Sequence, residues 1–570
     1  MRENILYKHF YCNTFYGKGE VKYLLLCYHR KGRRRKLLAR NKGHKKGKYQ
    51  DEIHQLSERA KKRAFGVIYS RTLVVLLLIL LQIVVMSFTL TYVNEYSPYL
   101  SGLVKLIAAI AVIYIYNDEG NPAFKMTWLL FIMLVPVVGT GFYLYTKVEI
   151  EKKYIGKRLM DLRLKTEPFM KQNPEVAKSI QGRRDTHMKL SRYLYRNAGY
   201  PTLANSKAKY FPLGDNKFPA LLNELNKAEK FIFMEYFIVA DGLVWDTILR
   251  VLQKKVQAGV EVRFLYDGMN SAINLPYDYP ERLEELGIKC KQFAPIRPIL
   301  STSQNNRDHR KICVVDGRVA FTGGVNLADE YINMKERFGH WKDTAIMIEG
   351  DAVQSFTMMF LQMWNTEGRG NENYSKYLTP KTEGVDPELG FMIPYGDGPY
   401  DEEDVGQEVY LHILNHAKKY VHIMTPYLIV DYEMRNALVR AAKAGTDVKI
   451  IMPHIPDKPY AFHLAKTYYR ELIESGVQIY EYTPGFMHAK VFVSDDNVSV
   501  VGTINLDFRS LFHHFECGVF IYDNPVVYDI EEDFQATLEK CQKISLVDLQ
   551  NRSVFSKIYG QLLRLIAPLM

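Results

Sequence analysis

Residues 308–326 read DHRKICVVDGRVAFTGGVN, and residues 487–505 read MHAKVFVSDDNVSVVGTIN. Each stretch holds His-x-Lys, an Asp five positions after the Lys, and a Gly-[GT]-x-Asn. The matched residues are His309 and His488, Lys311 and Lys490, Asp316 and Asp495, Gly323 and Gly502, and Asn326 and Asn505, every pair 179 positions apart (488 less 309). A lone His-x-Lys carries no information. Two copies at one fixed offset mark a duplicated unit. On a strand, residues i and i+2 share a face, so each His projects beside its Lys. The apolar runs that follow, Ile312–Val315 and Val491–Val493, anchor those strands in a core.

The flanking sequence repeats as well. Phe231–Val239 (FIFMEYFIV) predicts a strand, Val244–Ala258 a helix and Val260–Tyr266 (VEVRFLY) a strand. The same order returns at Tyr420–Ile429, Glu433–Ala444 and Asp447–Met452. VQAGVEVRFL at 256–265 answers AAKAGTDVKII at 441–451, and LEELGIKCKQF at 283–293 answers RELIESGVQIYEY at 470–482. Duplication at this scale predicts an α/β protein of two similar halves, 205–375 and 390–545, around a pseudo-twofold axis. Strands alternating with helices predict a mixed or parallel sheet covered on both faces.

The residue types suit chemistry at phosphorus. Imidazole can attack phosphorus or protonate a leaving oxygen near neutral pH. Lysine ammonium and asparagine amide groups can hold the non-bridging oxygens as charge develops. In-line displacement needs a nucleophile on one side and an acid on the other. Two half-sites meeting across an axis supply both.

Residues 1–71 carry 20 Lys or Arg against 5 Asp or Glu, a surplus of +15 in a chain whose total is +12, which leaves −3 for the other 499 residues. The catalytic part is therefore not basic, which argues against a nucleic-acid partner. A basic, disordered tail beside hydrophobic runs reads as a cytoplasmic anchor facing anionic lipid. Leu73–Val93 is long enough to span a hydrocarbon core of roughly 30 Å. Leu103–Tyr116 is shorter and suits a short span, a re-entrant segment or a buried helix, whereas Met126–Tyr145 is long enough to span and contains Pro136, Gly139 and Gly141. Segment 72–147 is thus expected to hold two or three transmembrane helices. Basic residues on both flanks favour an even number of crossings, placing the catalytic part on the cytoplasmic side of the cell membrane. The six cysteines are scattered without a CxxC pair, so neither disulfides nor zinc are expected. The tail at 546–570 reads as helical; FSKIYGQLLRLIAPLM at 555–570 suits either an interfacial or a core-packing helix.

With its two His-Lys-Asp motifs, the chain resembles the phospholipase D superfamily. Within it, the phrases NPAFKMTWLLFIMLVPVVGTGFYLY (121–145), MEYFIV (234–239), FTGGVNLADEY (321–331), HWKDT (340–344), TPYLIV (425–430) and VGTINLDFRS (501–510) make it similar to the bacterial cardiolipin synthases. The resemblance runs from about residue 120 to the C-terminus and leaves the basic extension unexplained. It implies phosphatidyl transfer between two phosphatidylglycerol molecules through a phosphatidyl-histidine, with no metal or other cofactor. By that analogy His309 is the nucleophile and His488 the acid/base, with Lys311 and Lys490 on the phosphate. Asn326 and Asn505 support phosphate binding. Asp343 is expected behind His309, and Glu516 behind His488. Asp316 and Asp495 belong to the motif but are expected to brace the fold. His513 and His514 are expected to be structural or solvent-facing, His340 to back the site from outside it or be inert, and Asp496 to be a turn residue.

Two rival classes share these motifs. A hydrolase, whether phospholipase or nuclease, would use water as acceptor; the membrane segment and the lack of excess positive charge oppose the nuclease. A non-catalytic scaffold would show decay of a His or Lys, and all four are present. The sequence carries no signal of oligomeric state.

Overall fold

A computed structural model describes residues 98–147, 150–182, 186–296, 302–366, 368, 372–379, 382–401 and 403–569, with scattered positions between 80 and 92. The basic segment 1–71 and most of the run Leu73–Val93 lie outside the described residues.

In the first half the strands are β1 (Ser206–Phe211), β2 (Phe231–Tyr236), β3 (Glu261–Asp267), β4 (Lys289–Phe293), β5 (Lys311–Val315), β6 (Val319–Gly323), β7 (His340–Lys342) and β8 (Ala345–Gly350). All but β7 form one sheet in the order β1-β8-β6-β5-β2-β3-β4. In the second half they are β9 (Phe391–Asp397), β10 (Tyr420–Met424), β11 (Leu428–Ile429), β12 (Asp447–Pro453), β13 (Gln478–Tyr482), β14 (Gly485–Met487), β15 (Val491–Ser494), β16 (Val498–Gly502), β17 (Leu506–Asp507), β18 (Glu516–Tyr522) and β19 (Cys541–Lys543). Eight of these form a sheet ordered β9-β18-β16-β15-β10-β12-β13-β19. Replacing β1, β8, β6, β5, β2, β3 and β4 by β9, β18, β16, β15, β10, β12 and β13 converts one order into the other. Only β19 is an addition. Both sheets are mixed, with β2-β3-β4 and β10-β12-β13 parallel.

Three apolar cores explain the layering. One lies on the outer face of the first sheet around Trp245, Ile248 and Leu252. Another covers the outer face of the second around Leu438, Leu464 and Tyr469. The third fills the space between the halves. It joins Phe233, Ile312 and Val314 to Val491, Val493 and Val519, with helices Val353–Trp364 and Val526–Leu538 contributing Phe356, Phe360, Ile530 and Phe534. A buried ion pair, Lys342 Nζ to Asp533 at 2.7 Å, also crosses this interface.

The connection that positions the site is short. β7 of the first half pairs in parallel with β14 of the second, matching Trp341 with Phe486 and Lys342 with Met487. Its counterpart is a single parallel bridge between Asp308 and Phe515. Met487 and Asp308 each precede a motif histidine, so Lys342 corresponds to Phe515, Trp341 to His514 and Asp343 to Glu516.

The helices ahead of the sheets include Pro98–Asn117, Pro122–Leu134 and Pro136–Lys147. The expected third span, Met126–Tyr145, is therefore two helices. Pro136 lacks an N–H and crowds the carbonyl one turn back, and Val135 before it leaves the helical region at φ −137°, ψ 76°. Gly139 then lets the second helix lie against the first, since a Cβ there would fall 2.9 Å from the Ile132 Cα. Among the described residues, no helix is long and apolar enough to cross a membrane. Helix Pro122–Leu134 docks on the second half: Asn121 caps it and donates to Asp431, Thr127 donates to the Leu565 carbonyl at 3.1 Å, and Phe124 packs edge-on against Phe508 and Phe512.

Candidate active site

At the interface between the halves, His309 stands just ahead of β5 and His488 just ahead of β15, both 8% exposed. The His309 backbone N–H donates to the Phe515 carbonyl at 2.8 Å, and that of His488 to the Lys342 carbonyl at 2.7 Å. Each histidine is thus hydrogen-bonded into the opposite half. The next residue on that opposite strand is a carboxylate. Nδ1 of His309 lies 2.9 Å from both carboxylate oxygens of Glu516, and Nδ1 of His488 lies 2.6 Å from Asp343 Oδ2. This exchanges the pairing expected from the sequence, in which Asp343 served His309 and Glu516 served His488. The reason is geometric. Within one sheet β6 lies between β5 and β8, so the carboxylate before β8 stands two strand spacings, roughly 9–10 Å, from its own histidine. The interface brings the other half's histidine to hydrogen-bonding distance instead.

With Nδ1–H donated to a carboxylate, each imidazole keeps its Nε2 lone pair. Burial, with the charges of Lys311, His514, Lys490 and His488, holds His309 well below the ordinary histidine range. Burial and then Lys490 push His488 down to about 4, against the pull of Asp343. Both rings are therefore neutral near pH 7. Burial raises the Glu516 carboxyl well above the usual range, with Lys311 and the Thr503 hydroxyl opposing.

Lys311 and Lys490 are fully buried and donate to the His309 and His488 carbonyls. Burial lowers Lys311 to about 7 and Lys490 to about 8. A phosphate anion entering between them would restore their charge. Asn326 donates to Tyr331 Oη at 2.9 Å, and Asn505 to Ser510 Oγ at 3.0 Å. One N–H of each amide is therefore spent within its own half.

Asp316 and Asp495, grouped by motif with the catalytic residues, sit at the far turns of their hairpins. Asp316 accepts the backbone N–H groups of Glu229, Lys230 and Phe231 at 2.8, 2.7 and 2.8 Å. Asp495 accepts those of Lys418, Lys419 and Tyr420 at 2.6, 2.8 and 3.0 Å. Both have positive φ, 55° and 54°. They tie down the start of β2 and β10, and among the described residues neither hydrogen-bonds to a motif histidine.

Several site residues escaped the motif reading. Gly324 is needed because a Cβ there would lie 2.0 Å from Asp343 Oδ1. Its counterpart Thr503 donates to Glu516 Oε2 at 2.5 Å, so the Gly-[GT] variation tracks the shorter and longer carboxylates. Phe237 packs on His309, and Trp341 and Tyr331 on His488. His514, expected to be structural or solvent-facing, is buried with its ring 5.6 Å from His309. His309, His514 and Glu516 bring ligand atoms within 4.8 Å of one another and are the described group able to hold a metal ion. Among the described residues, the His340 ring bonds to the Tyr482 hydroxyl at 3.0 Å, and Asp496 to the Tyr420 hydroxyl and Lys419.

A family model described as cardiolipin synthase, PLD-like domain matches residues 221–364 and 410–538, one match per half. A cardiolipin synthase of Alkalihalophilus pseudofirmus is 33% identical over 82% of this chain and 94% of that protein. The chain belongs to the cardiolipin synthase family. Cardiolipin synthase 2 of Bacillus cereus is 34% identical over 80% of this chain and 88% of its own length. An uncharacterized protein of Streptococcus mutans is 48% identical over 81% of this chain and 99% of its own. A model described as phospholipase D-nuclease N-terminal covers residues 106–146. The crystal structure of phosphatidylserine synthase from Haemophilus influenzae shares the fold, with a TM-score of 0.51 at 14% identity over 67% of this chain and 98% of that one. In this family member the paired matches coincide with the paired half-sites.

Proposed function

We propose that the protein transfers a phosphatidyl group from one phosphatidylglycerol to a hydroxyl of a second, giving cardiolipin and glycerol. The observation that carries this reading is the pair of buried imidazoles, each with Nδ1 on a carboxylate of the opposite half. His309 Nε2 attacks phosphorus while His488 gives its proton to the departing glycerol oxygen, leaving a phosphatidyl-histidine. His488 then takes the proton of the second lipid's hydroxyl, which attacks phosphorus and frees His309. The low basicity of the two rings suits this cycle: His309 is an unprotonated nucleophile, and a phosphodiester anion raises His488 toward the value an acid needs. Lys311, Lys490 and the remaining amide N–H groups of Asn326 and Asn505 hold the non-bridging oxygens. The cycle requires no metal or other cofactor.

The work takes place at the cell membrane. Segment 72–147 supplies multi-pass anchoring, and an even number of crossings puts the catalytic halves on the cytoplasmic side. The C-terminal helix Val554–Ile566 supports contact with lipid. It packs inward on Gly560 and Leu563 and leaves Phe555, Ile558 and Leu562 more than half exposed, and Leu565 nearly so, on its other side. Lipid mass spectrometry of the purified full chain with phosphatidylglycerol in mixed micelles tests the assignment. Cardiolipin and glycerol in equal amounts are expected. Phosphatidic acid as the main product would make the protein a hydrolase, and no turnover would refute the reading.

A further inference from the structure

One pair of equivalent positions in the two half-sites exchanges an indole for an imidazole. Trp341 lies behind His488 and His514 beside His309, each one residue before the carbonyl that binds the other half's histidine. Trp341 is enclosed by Tyr331 and Phe486, centroids at 4.7 and 4.8 Å. His514 is 7% exposed, and neither ring nitrogen has a hydrogen-bond partner among the described residues. A buried imidazole with both nitrogens unmet is destabilising, and such groups are uncommon in folded proteins. One of its nitrogens stands within 4.8 Å of a His309 nitrogen and a Glu516 oxygen. The His309 and His514 rings lie 5.6 Å apart between centroids, so a phosphate seated against His309 would come within reach of His514.

We propose that His514 is a third imidazole of the reaction centre, donating an N–H to a non-bridging oxygen of the phosphodiester on the His309 side. This rests on the transferase reading and deepens it: one half-site carries an additional polar contact to phosphate, and the other an indole. Burial and the neighbouring cations Arg509, Lys311 and Lys458 keep His514 neutral, so it always has one N–H to give and one lone pair free. A phosphate oxygen would supply the partner that neither His514 nitrogen finds among the described residues. The contact also gives His309 and His488 different roles within a duplicated scaffold. The phosphoryl group is gripped more fully on the side of the attacking ring, while the leaving and entering glycerol oxygens work on the aromatic side.

The test compares His514→Phe and His514→Gln in the full chain. Phenylalanine keeps the volume and removes the unmet polar atoms, so thermal stability is expected to hold or rise. Turnover of phosphatidylglycerol should fall by about 10- to 100-fold, the loss expected for one hydrogen bond to a charged oxygen. Glutamine, with an N–H to offer, should recover part of it. Phosphorothioate diastereomers of the substrate give a readout that a packing role would not move. The wild-type chain should discriminate against sulfur at one non-bridging position, and His514→Phe should lose that discrimination alone. Binding of inorganic phosphate, followed by phosphorus NMR, should weaken in His514→Phe by a similar factor, and this arm stands whether the acceptor is a lipid or water. Unchanged phosphate affinity and an unchanged diastereomer preference in a folded His514→Phe protein would overturn the proposal without touching the two-histidine mechanism.

Discussion

Replacing Glu516 by Gln should disable His309, although 207 residues separate them. Both carboxylate oxygens sit 2.9 Å from His309 Nδ1, and the side chain is fully buried. An amide in that place can turn its N–H₂ toward Nδ1, which moves the imidazole proton to Nε2 and removes the attacking lone pair. Loss of the orienting carboxylate from an imidazole base lowers turnover by about 10⁴ in the serine-protease arrangement, about 5.5 kcal/mol of barrier. A similar loss is expected here. The assay is acid-quenched labelling with a phosphatidyl ester bearing an activated leaving group. Glu516→Gln should form no phosphatidyl-enzyme, like His309→Ala. Asp343→Asn should still capture label and release it slowly, because the ring it cripples is needed least when the leaving group is good. A double-mutant cycle makes the pairing independent of which ring attacks. Glu516→Gln should add nothing to His309→Ala, and Asp343→Asn nothing to His488→Ala. Full additivity in those pairs, with coupling between Asp343 and His309 instead, would refute the crossed arrangement.

Other outcomes follow from the same geometry. Because Lys311 and Lys490 are charged below about 7 and 8, kcat/KM should decline on the alkaline side across that range; a profile flat up to the ordinary lysine range would contradict their burial. Asp316→Ala should destabilise the protein by about 2–4 kcal/mol, from three backbone donors left unmet and a non-glycine residue at positive φ, while activity per folded molecule stays unchanged. Measured by denaturant titration in detergent, a loss of activity without a loss of stability would return Asp316 to the catalytic group. His488 is neutral when folded and takes a proton when unfolded below its ordinary 6.5, so its contribution to stability is present above that value and declines as pH falls to about 4. The full decline is about 3 kcal/mol, and His488→Gln should flatten that part of the stability profile. Leu562→Glu, on the exposed face of the C-terminal helix, should reduce turnover on vesicles while leaving turnover in mixed micelles unchanged; an equal fall in both would place the effect in folding.

The duplicated halves, the strand–helix order, the His-Lys pairs and the bracing role of Asp316 and Asp495 were legible in the chain itself, because each depends on contacts inside one half. Strand periodicity sets which side chains share a face, and the constant offset of 179 residues reveals that both halves obey the same rule. Three things depended on tertiary structure. The crossing of Asp343 to His488 and of Glu516 to His309 arises where two sheets meet, and no local pattern encodes which half a carboxylate faces. His514 looked like half of a bland His-His pair, since having no histidine counterpart in the repeat argued against it; only superposing the halves sets it opposite Trp341. The run 126–145 read as one span by composition, yet Pro136 divides it and Gly139 lets the pieces pack together. Hydropathy counts how apolar a stretch is, whereas its path depends on backbone hydrogen bonds that one proline removes.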